Sequence, residues 1–175
     1  LGLQWTFWKE YVPKALTFDN GTLWMKAKGR TPADGRLLLT TAEDKNYETQ
    51  VEINIGNGNT GGLVLFYNEN AYAGVVSDGK KFIVYQNASK QLELPNELGK
   101  RFIAKIHNQG NNLRIMVSKD SKEWITLAEN VDVSQMHHNN YHGFYALRIG
   151  LLSAGKGRAG FKQFRYKNAV PQEKD

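Results

Sequence analysis

The sequence predicts an all-β chain folded as an antiparallel β-sandwich, and three observations carry the prediction. Apolar residues alternate with polar ones at a period of two, Gly, Asn and Asp cluster between the alternating runs, and no long helical period occurs anywhere in the 175 residues. Short strands at nearly regular spacing with such turns describe two packed sheets rather than a βαβ fold.

In chain order, strands are expected over residues 22 to 28, 36 to 41 and 47 to 55. In the last of these Val51, Ile53 and Ile55 alternate with Glu52 and Asn54, which gives one wet face. "GNGN" at 56 to 59 then turns the chain into a strand at 61 to 68, where "GGLVLFY" is apolar on both faces and belongs in the middle of a sheet. "NEN" at 68 to 70 leads to a strand at 71 to 77, and Asp78-Gly79 joins it as a tight hairpin to one at 80 to 86.

Strands at 101 to 108 and 112 to 118 flank "NQGNN", and in the second Leu113, Ile115 and Val117 alternate with Arg114, Met116 and Ser118. "SKDSK" at 118 to 122 is a turn, and "DVSQM" at 132 to 136 reads as a helical turn capped by Asp132 or Ser134. The last strands are expected at 144 to 153 and 158 to 167, the former again apolar on both faces. Residues 1 to 168 thus form a single sandwich domain, and 169 to 175 a polar tail.

Composition narrows the chemistry. A hydrophobic content of 41% supports a sizeable core, and no apolar run reaches the roughly 20 residues of a membrane helix, so no membrane partner is expected. Without cysteine there is no disulfide, thiolate metal site or cysteine nucleophile. The compartment stays open, secretion or the periplasm being the expectation. The chain starts abruptly in apolar sequence at Leu1-Gly2-Leu3-Gln4-Trp5 and reads as a piece of something longer. The net charge of +6 is spread along the chain and interleaved with acids, so pairs such as Lys80-Lys81 read as solvated strand ends and nucleic acid is not an expected partner.

Catalytic patterns are missing. "HHNNYHGFYALRIG" at 137 to 150 holds three of the four histidines, but without the paired spacing of a zinc site, and adjacent His137 and His138 point apart in an extended segment. No G-x-S-x-G elbow is present, and "GNGNTGG" precedes a strand where a phosphate loop must precede a helix. Glycoside hydrolysis needs two carboxylates facing across a cleft, and the acids here lie in turns and on polar strand faces. Aromatic residues remain: Trp8, Tyr141 and Phe144 are the candidates for exposed platforms, the others serving mainly as core.

"LGLQWTFW", "GGLVLFYNENAYAGVVSDGKKFIVY", "LRIMVSKDSKEW", "VDVSQM" and "GFYALRIGLLSAGKGRAGFKQFRY", in that order, resemble the C-terminal concanavalin A-like jelly-roll domain of glycoside hydrolase family 43, the β-xylosidases and α-arabinofuranosidases. The resemblance implies an accessory module with no catalytic residues of its own, whose partner is an N-terminal five-bladed propeller carrying the catalytic acids, and whose ligand is a plant cell-wall oligosaccharide. It also implies that the loop leading into "GFYALRIG" lends Phe144, with Tyr145 and Tyr141 nearby, to the rim of the propeller's pocket, and Trp8 joins them as a sugar-contacting candidate from the reading of the aromatic residues. The histidines would then be polar flanks, while the alternative for Phe144 is a plug in the sandwich end.

Three departures from the family pattern stand out. Lys162 occupies a position where many relatives carry an acid, and an ammonium cannot ligate calcium, so no cofactor is expected, structural calcium staying open as the alternative that Lys162 speaks against. Arg148 stands where relatives have an apolar residue, and Ser121 where a turn Gly is common. Two other readings remain open, an autonomous carbohydrate-binding or lectin-like module and a basic domain for an acidic polymer.

Overall fold

The computed structural model describes residues 5–169. The strands are β1 (Trp5–Phe7), β2 (Leu16–Asp19), β3 (Thr22–Lys26), β4 (Arg36–Thr41), β5 (Asn46–Ile55), β6 (Asn59–Asn68) and β7 (Ala71–Ser77). They continue with β8 (Lys81–Gln86), β9 (Ser89–Pro95), β10 (Arg101–Gln109), β11 (Asn112–Ser118), β12 (Trp124–Asp132), β13 (Arg148–Gly155) and β14 (Arg158–Asn168). A single 3₁₀ turn, Pro13–Ala15, precedes β2. Two seven-stranded antiparallel sheets result, in the orders β1-β4-β13-β6-β7-β8-β9 and β12-β11-β10-β5-β14-β3-β2. The fold is the expected antiparallel sandwich, with the two strands that are apolar on both faces, β6 and β13, at the centre of the first sheet.

Alternation places one face of each sheet inside. Val51, Ile53, Phe102, Ile106, Ile115 and Val117 of the second sheet meet Leu63, Leu65, Val75, Val84 and Leu151 of the first. Phe82 and Phe102 join the layers edge to face with ring centres 5.1 Å apart. The outer face of the first sheet is buried as well, by Leu37, Leu39, Val64, Phe66, Tyr72 and Leu152. The segment between β3 and β4 covers part of this face: a Cβ at Gly35 would lie 2.5 Å from the Leu152 side chain. Asp34 holds this segment closed by accepting from the backbone N–H groups of Arg30 and Thr31, each at 2.9 Å, and those donors hold its carboxyl below the usual range.

Four observed strands fall outside the expected set. β12 is masked by register shifts against β11, which put Leu127 and Val131 inward four residues apart, a helical spacing, although the chain is extended. β9 is a largely exposed edge strand ending at Pro95, and β1 and β2 are too short to show a period. The expected strand at 144 to 153 begins only at Arg148 and runs to Gly155, because the preceding residues form a loop. "DVSQM" is likewise not a helical turn throughout: Asp132 ends β12 and caps the Ser134 N–H at 2.8 Å, while Val133 and Met136 are buried three residues apart around one turn.

The Asp78-Gly79 hairpin forms with Gly79 at φ 90°, and Asp78 accepts from the N–H groups of Lys80 and Lys81. Ser77 and Phe82 are its last cross-strand pair, so the connection is longer than a two-residue turn. Of the expected tail, only Ala169 falls within the described residues.

On the outer face of the second sheet Glu48 faces Lys105 and Lys167 at 3.4 Å and His107 at 3.5 Å. Burial pushes its carboxyl up, and the two ammonium groups more than offset this, leaving it below the usual value. A depressed folded-state carboxyl contributes stability above its unfolded pKa and loses it as pH falls through the folded one. Glu48→Gln is expected to lower the thermal midpoint at neutral pH by roughly 2–4 °C, with the difference from wild type shrinking below about pH 4, as followed by circular dichroism.

Candidate functional site: the aromatic loop between β12 and β13

The loop following β12 is anchored from both ends. Val133 N–H donates to the Asn111 carbonyl at 2.9 Å, and the side chains of Val133 and Met136 are buried. The His137 carbonyl accepts from the N–H groups of Asn140 and Tyr141, both at 3.1 Å. His137 Nδ1 accepts from Asn139 N–H at 3.2 Å. From the first sheet, the buried Tyr67 hydroxyl donates to the Gly143 carbonyl at 2.5 Å, and Asn68 Nδ2 donates to the His142 carbonyl at 3.3 Å. Both bonds come from the end of β6, so a central strand fixes the backbone on which Phe144 sits.

Phe144 is 97% exposed, its one aromatic neighbour among the described residues being the His138 ring at 5.9 Å. It does not plug the sandwich. Tyr145 is 47% exposed and packs edge-on against Trp8 at 5.1 Å and Tyr67 at 5.7 Å. The exposure expected of Trp8 and Tyr141 is corrected. Trp8 is a half-buried wedge whose ring meets Phe66 edge-on at 5.0 Å, because the apolar outer face of the first sheet offers it cover. Tyr141 is half-buried too, packed against the interior near Tyr67.

Cations flank the wedge: Lys9 Nζ lies 5.6 Å and the Arg148 guanidinium 5.7 Å from the Trp8 ring centre. Partial burial lowers the Arg148 pKa, and Tyr145 counters that only in part.

Gly143 is a position where only glycine fits. Its φ is 96°, and an added Cβ would meet the Tyr145 ring within 3 Å. Gly143→Ala is expected to push Tyr145 off Trp8 and to cost about 1–2 kcal/mol. Trp8 fluorescence and the thermal midpoint check this together, the first reading displacement and the second its energy.

Beside the loop lies a cavity of about 440 Å³ walled by Lys9, Asn68, Glu69, Asn70, Tyr141 and Tyr145. Lys9 and Glu69 close one side through a 3.1 Å ion pair. The Glu69 carboxyl is held low by its own backbone N–H and then by Lys9. Glu69 is the one carboxylate in this wall, so the cavity offers no facing pair for acid and base. Among the described residues no three His, Asp or Glu side chains converge as metal ligands. Lys162 lies across from Glu52 on β5. What the arrangement can do is present apolar and hydrogen-bonding surface side by side.

The sequence reading missed Tyr67 and Asn68 as the loop's supports and Lys9 with Glu69 as a wall. The signal available was the polar end of a strand otherwise apolar on both faces, "FYNEN".

The family model of the β-xylosidase C-terminal concanavalin A-like domain matches residues 1–167. Among curated proteins none matches the chain in sequence. The family 43 protein BlXynB of Bacillus licheniformis superposes with a TM-score of 0.78 at 16% identity, over 94% of this chain and 37% of that one. A xylan β-1,4-xylosidase of Bacillus halodurans C-125 gives 0.73 at 16% identity, over 90% and 35%. The carbohydrate-binding module CBM66 of Bacillus subtilis gives 0.62 at 17%, over 94% and 95%. The chain therefore spans little more than a third of the two family 43 structures.

Proposed function

Because the chain belongs to the family of β-xylosidase C-terminal concanavalin A-like domains, we propose that it is the accessory, non-catalytic sandwich of a family 43 glycoside hydrolase acting on xylose- or arabinose-containing saccharides. In this reading it packs against an N-terminal five-bladed propeller and places Phe144 at the rim of that module's pocket. The observation that carries the reading is a phenyl ring left 97% exposed on a backbone held by buried side chains of a central strand. Holding such a ring in water forgoes roughly 1.5–3 kcal/mol that burial would return, a cost recovered when a partner or sugar covers it.

Phe144 and Tyr145 then form an apolar wall that narrows the pocket and excludes water, favouring short, terminal substrates over long polymers. The cavity beside the loop supplies amides and the Lys9–Glu69 pair as hydrogen-bonding groups for a sugar's hydroxyls.

The test compares nitrophenyl pentoside hydrolysis by this chain alone with that by the polypeptide carrying the family's catalytic module before it. Turnover is expected only in the second. Robust turnover by the chain alone, or a two-domain enzyme indifferent to removal of this domain, would overturn the reading.

A further inference from the structure

A second site lies at the end of β13 away from the aromatic loop. Lys14, Lys26, Lys156 and Arg158 surround a cavity of about 370 Å³, together with Thr17 and Trp24. No carboxylate lines it. Among the described residues none of these four cations makes an ion pair, although eight other basic side chains do, with Glu48 alone facing three of them, Lys105, His107 and Lys167. Arg158 is moreover the direct cross-strand partner of Lys26, a like-charge pairing that weakens a sheet. The Ala27 N–H bond to the Gly157 carbonyl, at 2.9 Å, holds the β13–β14 turn against the end of β3 and keeps these charges together.

Arg158 is also arranged. Its guanidinium lies 4.2 Å from the centre of the Trp24 ring, and that ring rests against Gly160, where a Cβ would meet it at 2.9 Å. The contact holds the guanidinium over the Trp24 ring, and among the described residues no partner engages its N–H groups, the state in which arginine takes a carboxylate through two parallel bonds.

We propose that this cavity binds a carboxylate-bearing saccharide, a uronate, through the fork of Arg158, with Lys26, Lys14 and Lys156 supplying the remaining positive field. The choice of a saccharide rests on the function proposed above. Two features speak against nucleic acid: the cations ring one cavity instead of forming a stripe, and Arg158 already covers the Trp24 face that a base would stack on.

The test is calorimetric titration of the 175-residue chain with a glucuronate-substituted xylo-oligosaccharide, its carboxyl-reduced neutral form, inorganic phosphate and a single-stranded oligonucleotide. The acidic sugar is expected to bind at least about tenfold tighter than the reduced one. Its binding should weaken as salt rises, and it should be lost in Arg158→Gln and reduced in Lys26→Gln. Both substituted side chains are exposed, and a thermal midpoint no lower than wild type in Lys26→Gln would show that relieved repulsion leaves the fold intact. Equal affinity for the reduced sugar, indifference to both substitutions, or phosphate or oligonucleotide binding as tightly as the uronate would overturn the proposal. Binding is read on the chain itself, so this result is independent of whether Phe144 closes a catalytic pocket.

Discussion

Truncating Phe102 to alanine is expected to destabilise the chain by about 3–5 kcal/mol, which at this size lowers the thermal midpoint by roughly 6–20 °C. Phe102 is 1% exposed and meets Phe82 of the opposite sheet edge to face, so its loss opens a cavity at a contact between the two layers. The β-strands around it are hydrogen-bonded on both sides, β5 and β11 flanking β10, and cannot collapse to fill the space. Phe102→Leu keeps most of the volume and should cost less than half as much. Denaturant unfolding of the two variants checks the ordering, and a loss under about 1 kcal/mol for the alanine variant would mean that the layers are not joined there.

Phe144→Ala should do the reverse, leaving stability alone and changing function. In the proposed two-domain enzyme it is expected to lower kcat/KM for a short pentoside by about 10- to 150-fold, the range that roughly 1.5–3 kcal/mol of lost apolar contact implies. The thermal midpoint of the chain should stay unchanged, because the ring makes almost no contact within it. Steady-state kinetics beside thermal unfolding separate the two effects. A variant with unaltered kinetics would remove Phe144 from the pocket, and one with a lowered midpoint would show the ring to be packed.

Legibility differed sharply between elements. β5, β10 and β11 announce themselves because one face of each is wet, so polarity alternates with the pleat and can be counted along the chain. β12 does not, because its bulged register shifts the inward residues out of step with the period of two. β6 and β13 read as central strands from their continuous apolar runs, yet what covers their outer face, Trp8 and the segment held by Asp34, comes from distant parts of the chain.

The site follows the same division. The aromatic character of the loop, and Phe144 within it, stand in "YHGFYALRIG" for anyone to read, whereas the exposure of that ring and the half-burial of Trp8 depend on what else reaches them. Exposure is a property of neighbours in space. The four cations of the second cavity make the point from the other side: scattered at 14, 26, 156 and 158 among acids, they look like solvated strand ends, and the pairings of β3 with β14 and of β2 with β3 bring them around one cavity.

By itself, then, the amino-acid order determined the all-β architecture, its central strands and the main hairpin, since these rest on local periodicity and turn chemistry that each segment carries alone. Tertiary structure decided which aromatic ring stands free, which side chains hold its loop, and where unpaired charge collects. Those outcomes depend on contacts between residues far apart in the chain, and no local pattern encodes the distance between them.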